Sequence, residues 1–579
     1  MKVLLLHPED TFPLRRSSDH WDLVVDLGRA PSATYERWSH QAGCEVVSLF
    51  RSAAEIRDLS SLRKLLQLGI GLMVDSSGID WWDLLCLFIA SDLQQLMLVH
   101  RLSKELHGNC ELFSSRPHTL ATALQRLLDA RLTVLESRFQ SGVRRVRHYH
   151  SLFSQLDAPQ FTQVLEDKFD GAHSIRRHFT RRRPSSGQPV VLLPSAYVNV
   201  SRAALSYAES LPEHQFLLVL ARSSGKLRSL PANVRSVSLS PYFVRGDKRE
   251  TVFLLDSWKS LRKHLVDSAS EFMIADATGI LEQIPALLPW GIALRDAWGQ
   301  LFESENVTAC LSADDSNPPS SIPLLMAKKR GLPAIASHHG ALDSTMAIKV
   351  NHADLYLVKS EMERDYLRRV CHLAPEKIAM AAPASSKRLS LRCGVRRTAP
   401  WLVFFTEPYK SYGWRNDEVY RDLLPRLCSL AQTCGLKLVF KLHPFESVKA
   451  HRRMLRRLIP EQGHQIEVLA GPPSDRLWNN TQFAFTVQSS TALKCAALDI
   501  PVFLCAWLRD PYSGYVQQYA RHGVGHVLES PEQIADVPAL LENQIEQSPQ
   551  PQTKWQASDS DNLARIFSGT YGLLTASNA

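Results

Sequence analysis

None of the ten cysteines of this 579-residue chain, at 44, 86, 110, 310, 371, 393, 428, 434, 495 and 505, lies in a C-x-x-C pair. That absence excludes a zinc ribbon, and the scatter reads as reduced core thiols of a cytosolic protein. The opening "MKVLLLHPEDTF" lacks a long apolar run and a small-residue cleavage site, so it is expected to be a strand and not a signal peptide. No long hydrophobic run is free of charge. The most apolar stretch, "IDWWDLLCLFIASDLQQLMLV", carries Asp80, Asp83 and Asp92, which argues against a spanning helix. No short-period repeat is present, so a solenoid is not expected. The net charge of +9 is not joined by a helix-turn-helix, zinc-finger or RNA-binding signature, so nucleic acid is not an expected partner. The positive balance favours anionic ligands or a negatively charged surface instead.

What is present is an ordinary globular composition, 45% apolar and 22% charged, long enough for several domains and a large core. Short apolar runs alternate with helical stretches, the pattern of β-α-β units and parallel sheets. The spacing divides the chain into residues 1–54, the start of an N-terminal Rossmann-like domain; 55–187, a mainly helical insertion ending in a basic Pro/Ser/Gly joint; 188–397, the remainder of that domain; 398–547, a second Rossmann-like domain; and 548–579, a polar tail. The fold class expected is α/β, with two Rossmann-like domains facing across a cleft.

Several strands end on residues that carry chemistry. The run Leu436–Leu442 leads into His443 and Pro444. Proline closes a strand and biases the preceding residue to an extended form, which displays His443 at the strand's carboxyl end. In open α/β sheets that end is where ligands bind. One unit later, "TVQSSTALK" ends a strand at Val487, and Gln488, Ser489, Ser490 and Thr491 open a helix. Such residues cap a helix start or hold phosphate there. "LPAIASHHG" ends at His338, His339 and Gly340, candidates for catalysis or phosphate contact with no metal-ligand spacing around them. Asp314 and Asp315 follow "VTACL" and read equally as a general base or as an Asx-turn. "FFTEPYK" sets Glu407, Tyr409 and Lys410 to line the cleft from the C-terminal side.

Taken together, H-G in the first domain and K-x-H-P with S-S-T in the second resemble the GT-B fold glycosyltransferases. The likeness is nearest to the HP-motif group of bacterial surface-polysaccharide enzymes: sialyltransferases, capsule Kdo transferases and CDP-glycerol glycerophosphotransferases. It spans roughly residues 300–510 through short motifs. It implies that Lys441, His443, Pro444, Gln488, Ser489, Ser490 and Thr491, with Glu407 and Gly340, bind the donor. It further implies His443 at the nucleotide phosphate and His339 as a candidate base, with Asp314 or Asp315 as the alternative. Two departures leave the donor subclass open: His338 stands where the glycerophosphotransferases have Trp, and Ser316 follows the two acids where the polysialyl enzymes have Gly.

The expected activity is metal-independent and cofactor-free transfer from a CMP-, CDP- or UDP-linked sugar to a glycan or lipid-linked acceptor, in bacterial surface polysaccharide synthesis. Alternatives are a nucleotide-sugar 2-epimerase of the same fold and a non-catalytic GT-B-like binding protein. Basic clusters at Arg144–Arg147, Arg176–Arg183 and in "HRRMLRR" (451–457) read as solvated faces or as contacts to anionic lipid. The expected location is cytoplasmic, with the inner membrane face as a candidate docking surface.

Overall fold

The computed structural model describes residues 1–10, 20–50, 59–106, 109–136, 187–243, 248–383, 400–509, 515–547 and 560–567, apart from 223, 224, 228, 341, 343, 445, 462 and 464. Three parallel sheets carry the architecture. The first contains β1 (Lys2–Leu6), β2 (Leu23–Asp26), β3 (Glu45–Ser48), β4 (Glu111–Ser114) and β5 (Arg131–Val134), in spatial order β3-β2-β1-β4-β5. The second contains β6 (Val190–Ser195), β7 (Phe216–Leu220), β8 (Val234–Ser238), β9 (Val307–Ser312), β10 (Ala334–Ala336), β11 (Leu355–Val358) and β12 (Ile378–Met380), ordered β12-β11-β10-β9-β6-β7-β8. The third contains β13 (Trp401–Phe405), β14 (Lys437–Lys441), β15 (Glu467–Leu469), β16 (Thr481–Thr486), β17 (Val502–Cys505) and β18 (His526–Leu528), ordered β15-β14-β13-β16-β17-β18. Central strands such as β6 and β13 are buried along their whole length. That is why they read as continuous apolar runs and not as an alternating pattern.

Each sheet has the doubly wound order, in which the first strand lies between the second and fourth. The chain reverses direction across the sheet there and leaves a crevice at the carboxyl ends. The second and third sheets face a common cleft with these crevices, as the two-domain expectation required. The third sheet in the count was not anticipated. Residues 1–54 were expected to open the same Rossmann-like domain as 188–397. Instead β1 pairs with β2 and β4, and none of its partners lies in the second sheet. The segment 55–187 was expected to be a helical insertion, yet it supplies β4 and β5 to this first sheet; residues 137–186, and with them two of the basic clusters, lie outside the described residues. The tail is also corrected. Helix Ser560–Phe567 buries Leu563, Ile566 and Phe567 in the core of the second sheet, with Phe567 edge-on to Phe216 at 6.2 Å.

The crevice of the first sheet is filled by the protein itself. Arg415, which follows the short turn Tyr409–Tyr412 after β13, enters between β1 and β2. Its Nε donates to Asp26 Oδ2 at 2.9 Å and its Nη2 to Asp26 Oδ1 at 2.6 Å and to the His7 carbonyl at 2.9 Å. The backbones lock alongside, with Arg29 N donating to Gly413 O (2.9 Å) and Arg415 N to Arg29 O (2.7 Å). The first sheet therefore serves as a brace for the domain built on the third sheet.

Among the described residues one helix, Trp81–Glu105, is long and apolar enough to cross a membrane, but 67% of its most apolar window is buried in the protein. Trp82 within it stacks on Trp258 at 6.3 Å and meets Phe272 edge-on at 5.8 Å, so its hydrophobicity is spent on packing.

Candidate active site

A cleft of about 760 Å³ opens between the second and third sheets. Its C-terminal wall starts where β14 ends at Lys441, as the His-Pro pair predicts. His443 N donates to Glu446 Oε2 (3.0 Å) and Thr406 Oγ1 (3.1 Å), while Glu446 N donates to His443 O (3.0 Å), which ties His443 to Glu446. The backbone of His443 is thus pinned, and its imidazole and Pro444 line the cleft. Burial, then the neighbouring Lys441 ammonium, hold the His443 imidazole down to about 4, so in the ligand-free cleft it is a neutral N–H donor.

Lys441 Nζ donates to the carbonyls of Leu442 (3.0 Å) and Gly471 (2.6 Å); burial, then Arg202 across the cleft, lower it to about 8. Gln488, Ser489, Ser490 and Thr491 follow β16 on the same wall. Glu407 accepts from Gln488 N at 2.8 Å and so ties this loop to the end of β13. Ser489 Oγ accepts from Thr491 N (3.3 Å) and Thr491 Oγ1 (3.0 Å), whereas the Ser490 side chain makes no capping bond. The helix that follows, Thr491–Ala497, is only seven residues long. Local N–H and O–H groups, more than a macrodipole, are what it offers an anion.

The opposite wall comes from β6, β9 and β10. Tyr197, just past β6, places its hydroxyl 2.7 Å from Asp314 Oδ2 and 3.2 Å from His339 Nε2. His339 Nδ1 lies 3.3 Å from the Ala313 carbonyl, which can only accept, so that nitrogen carries the proton. Burial, then His338, lower His339 to about 4, so it stays neutral, and the one Tyr197 proton serves either Asp314 Oδ2 or His339 Nε2. Asp314 is otherwise consumed: Oδ1 accepts from Ser316 N (2.9 Å), an Asx-turn, and Oδ2 from Asn317 Nδ2 (2.5 Å) as well as from Tyr197. Burial works to raise Asp314, but His339, the Tyr197 hydroxyl and His338 outweigh it and leave it below the usual carboxylate range. It is better suited to orienting Tyr197 and His339 than to taking a proton. Gly340 lines the cleft with open space where a Cβ would stand, and its φ is not in the left-handed range, so no turn demands glycine there.

Three expectations are corrected. Asp315 does not reach the cleft: it forms a buried ion pair with Lys349 and accepts from Tyr356 OH at 2.8 Å, because adjacent residues leave a strand end in opposite directions. Asp315→Asn should therefore cost stability, about 3–5 kcal/mol by leaving Lys349 unpaired, without changing nucleotide affinity in a binding titration. Tyr409 is buried against Tyr420 (5.7 Å), and Lys410 turns away to Glu9 of the first sheet (3.1 Å).

The sequence reading missed Tyr197, Arg202, Lys359, Lys494 and Glu446. The first four line the cleft, so cations outnumber carboxylates there. Tyr197 was accessible in principle: "VVLLPSAY" is the central strand of its sheet, and the residues past it face the crevice. Glu446 sits beneath the His443 turn, where burial, against its hydrogen bonds, raises it to about 7. Among the described residues no group of three or more His, Cys, Asp or Glu side chains gathers as metal ligands would.

These shifts set a pH dependence. His339, His443 and His451, the last lowered by burial, sit at about 4 against roughly 6.5 unfolded. Between those values the unfolded chain binds more protons, so stability falls as pH drops from about 6.5 to about 4. Glu446 acts oppositely between about 4.5 and about 7, where the folded state holds the extra proton. The three histidines favour net acid destabilisation, read as Tm against pH, and Glu446→Gln removes one of the opposing contributions, beside those of Asp80 and Asp422, which burial also raises.

No protein-family model matches the chain, and no curated protein matches it. Solved structures similar to it include the wall teichoic acid polymerase TagF (10% identity, 73% of this chain and 99% of that one, TM-score 0.37). The UDP-GlcNAc 2-epimerase from Methanocaldococcus jannaschii is another (10% identity, 68% and 99%, TM-score 0.38). A glycosyltransferase from Rickettsia africae ESF-5 is a third (12% identity, 69% and 98%, TM-score 0.35). At these TM-scores the reading of function rests on the chain's own cleft.

Proposed function

We propose that this chain is a metal-independent glycosyltransferase that moves a sugar, or a related group, from a nucleotide-activated donor to a glycan or lipid-linked acceptor of bacterial surface polysaccharide. The observation that supports this most is the meeting of two walls in one cleft: His443 with the Gln488–Thr491 loop on one side, and Tyr197, Asp314 and His339 on the other. The donor nucleotide would lie against the third sheet. As the bond to the leaving phosphate breaks, charge gathers on its oxygens. The His443 imidazole and the Ser490 hydroxyl would stabilise it, with Lys441, Lys494 and Arg202 supplying positive charge that a metal supplies elsewhere.

The acceptor would enter from the second sheet. Its hydroxyl oxygen forms the new bond as its proton passes to His339 Nε2, which the Ala313 carbonyl holds in the required tautomer. The nucleotide leaves with the electrons of the broken bond. Closure of the cleft would exclude water and limit donor hydrolysis.

The test is product analysis with CMP-, CDP- and UDP-linked donors, with and without glycan and lipid-linked acceptors. The reading expects acceptor-dependent release of nucleotide and a lengthened acceptor. An epimer of the donor formed without acceptor would establish the epimerase instead, and binding without turnover would establish a binding protein.

A further inference from the structure

Residues 68–74, L-G-I-G-L-M-V, expose their aliphatic side chains at every second position: Leu68 37%, Ile70 37%, Leu72 50% and Val74 38%. Val252 and Phe253, at the start of helix Lys248–Ser268, are exposed by 59% and 55%. Large apolar side chains gathered on a surface mark an interaction site. These two segments are fastened together by one buried guanidinium. Arg295 donates through Nη1 to Asp75 Oδ2 (2.6 Å) and through Nη2 to Glu250 Oε2 (2.5 Å). Glu250 also accepts from Ser76 N (3.2 Å) and Ser76 Oγ (2.6 Å).

The rest of the loop is equally fixed. Asp75 accepts from Ile79 N and Trp81 Nε1 (both 2.9 Å), Gly71 N donates to Asp80 Oδ2 (2.6 Å), and Lys329 Nζ caps the carbonyls of Ser77 (2.8 Å) and Gly78 (2.5 Å). Gly69 lies so close to Trp82 that a Cβ would stand 2.6 Å from its Nε1. Polar groups are turned inward, and the outer edge is a rigid apolar ledge.

We infer that this ledge docks the protein on an anionic phospholipid bilayer. Two features select lipid over a protein partner. No side chain in residues 68–74 has a polar atom with which to specify a partner's hydrogen bonds, and hydrocarbon requires none. The loop and helix-start carboxylates Asp75, Asp80 and Glu250 are occupied by Arg295 or by backbone amides, while Lys64 and Lys248 are exposed beside the ledge. Apolar insertion flanked by cations is the chemistry of interfacial binding to acidic headgroups. This surface is separate from the transfer cleft, so its test is independent of the proposed chemistry.

The experiment is co-flotation of the full chain with vesicles of mixed phosphatidylglycerol and phosphatidylcholine, and with vesicles of phosphatidylcholine alone. Wild type is expected to float with the mixed vesicles only. Leu72→Ser combined with Phe253→Ser should lower the bound fraction on the order of tenfold or more with an unchanged Tm, since both side chains are exposed. Three results overturn the inference: no flotation of wild type; flotation that the double substitution leaves intact, which would assign binding to cationic faces such as helix Val448–Leu458; or a concentration-dependent dimer dispersed by the double substitution without flotation, which would assign the ledge to a second copy of the chain.

Discussion

His443→Ala is expected to lower the rate of transfer by about 10²–10⁴-fold while the protein stays folded. The two halves of that statement have separate grounds. The turn is held by the His443 backbone amide on Glu446 and Thr406, and removing the ring leaves those bonds in place. The ring is also held neutral by burial at about 4, and its loss removes a group that opposes folding in acid. What disappears is the imidazole that lines the cleft past the end of β14. Because its work grows as charge develops on the departing phosphate, the loss should fall on kcat more than on donor affinity. Transfer at near wild-type rate by this variant would exclude the role.

Arg415→Ala should be strongly destabilising although Arg415 lies outside the cleft. Asp26 is fully buried, and Arg415 gives it both a bidentate ion pair and the link to the His7 carbonyl. Removing one partner of such a pair leaves an uncompensated carboxylate and costs about 3–5 kcal/mol. The same guanidinium lies 5.1 Å from the Trp38 ring and joins the first sheet to the domain of the third sheet, so the loss is local to that junction. A chain of several domains need not unfold in one step. The expected result is an early separate transition, with proteolysis concentrated in residues 1–134. Adding Asp26→Asn should recover part of the loss, because a neutral amide tolerates the empty site better. A single unshifted transition for Arg415→Ala would mean that the brace does not exist.

The strands around the cleft were legible because burial on both faces writes them as unbroken apolar runs. The reading of a strand over Leu436–Leu442 became β14 (Lys437–Lys441), and the strand ending at Val487 became β16 (Thr481–Thr486). Partners of parallel strands are distant in sequence, however, and nothing in "KVLLL" says which sheet it joins. The pattern in "LATALQRLLDARLTVLESRF" reads as one helix since it holds no glycine or proline. In the structure the helix stops at Leu128, where Asp129 adopts the left-handed conformation at φ 47°, and Arg131–Val134 turns to strand. Aspartate can make that turn, but composition does not mark it. The choice between Asp314 and Asp315 was beyond a sequence pattern for a similar reason. Only the packing of Lys349 and Tyr356 decides which acid is turned inward.

The claim that binds these parts is that one nucleotide is held by His443 and the Ser489–Thr491 loop while His339 faces it from the other sheet. Its most direct measurement is a calorimetric titration of CMP, CDP and UDP into wild type, Ser490→Ala and His339→Ala. At least one nucleotide should bind wild type, weaken on Ser490→Ala, and bind His339→Ala as it binds wild type. Absence of binding by all three nucleotides, or an affinity that depends on His339 and ignores Ser490, would contradict it.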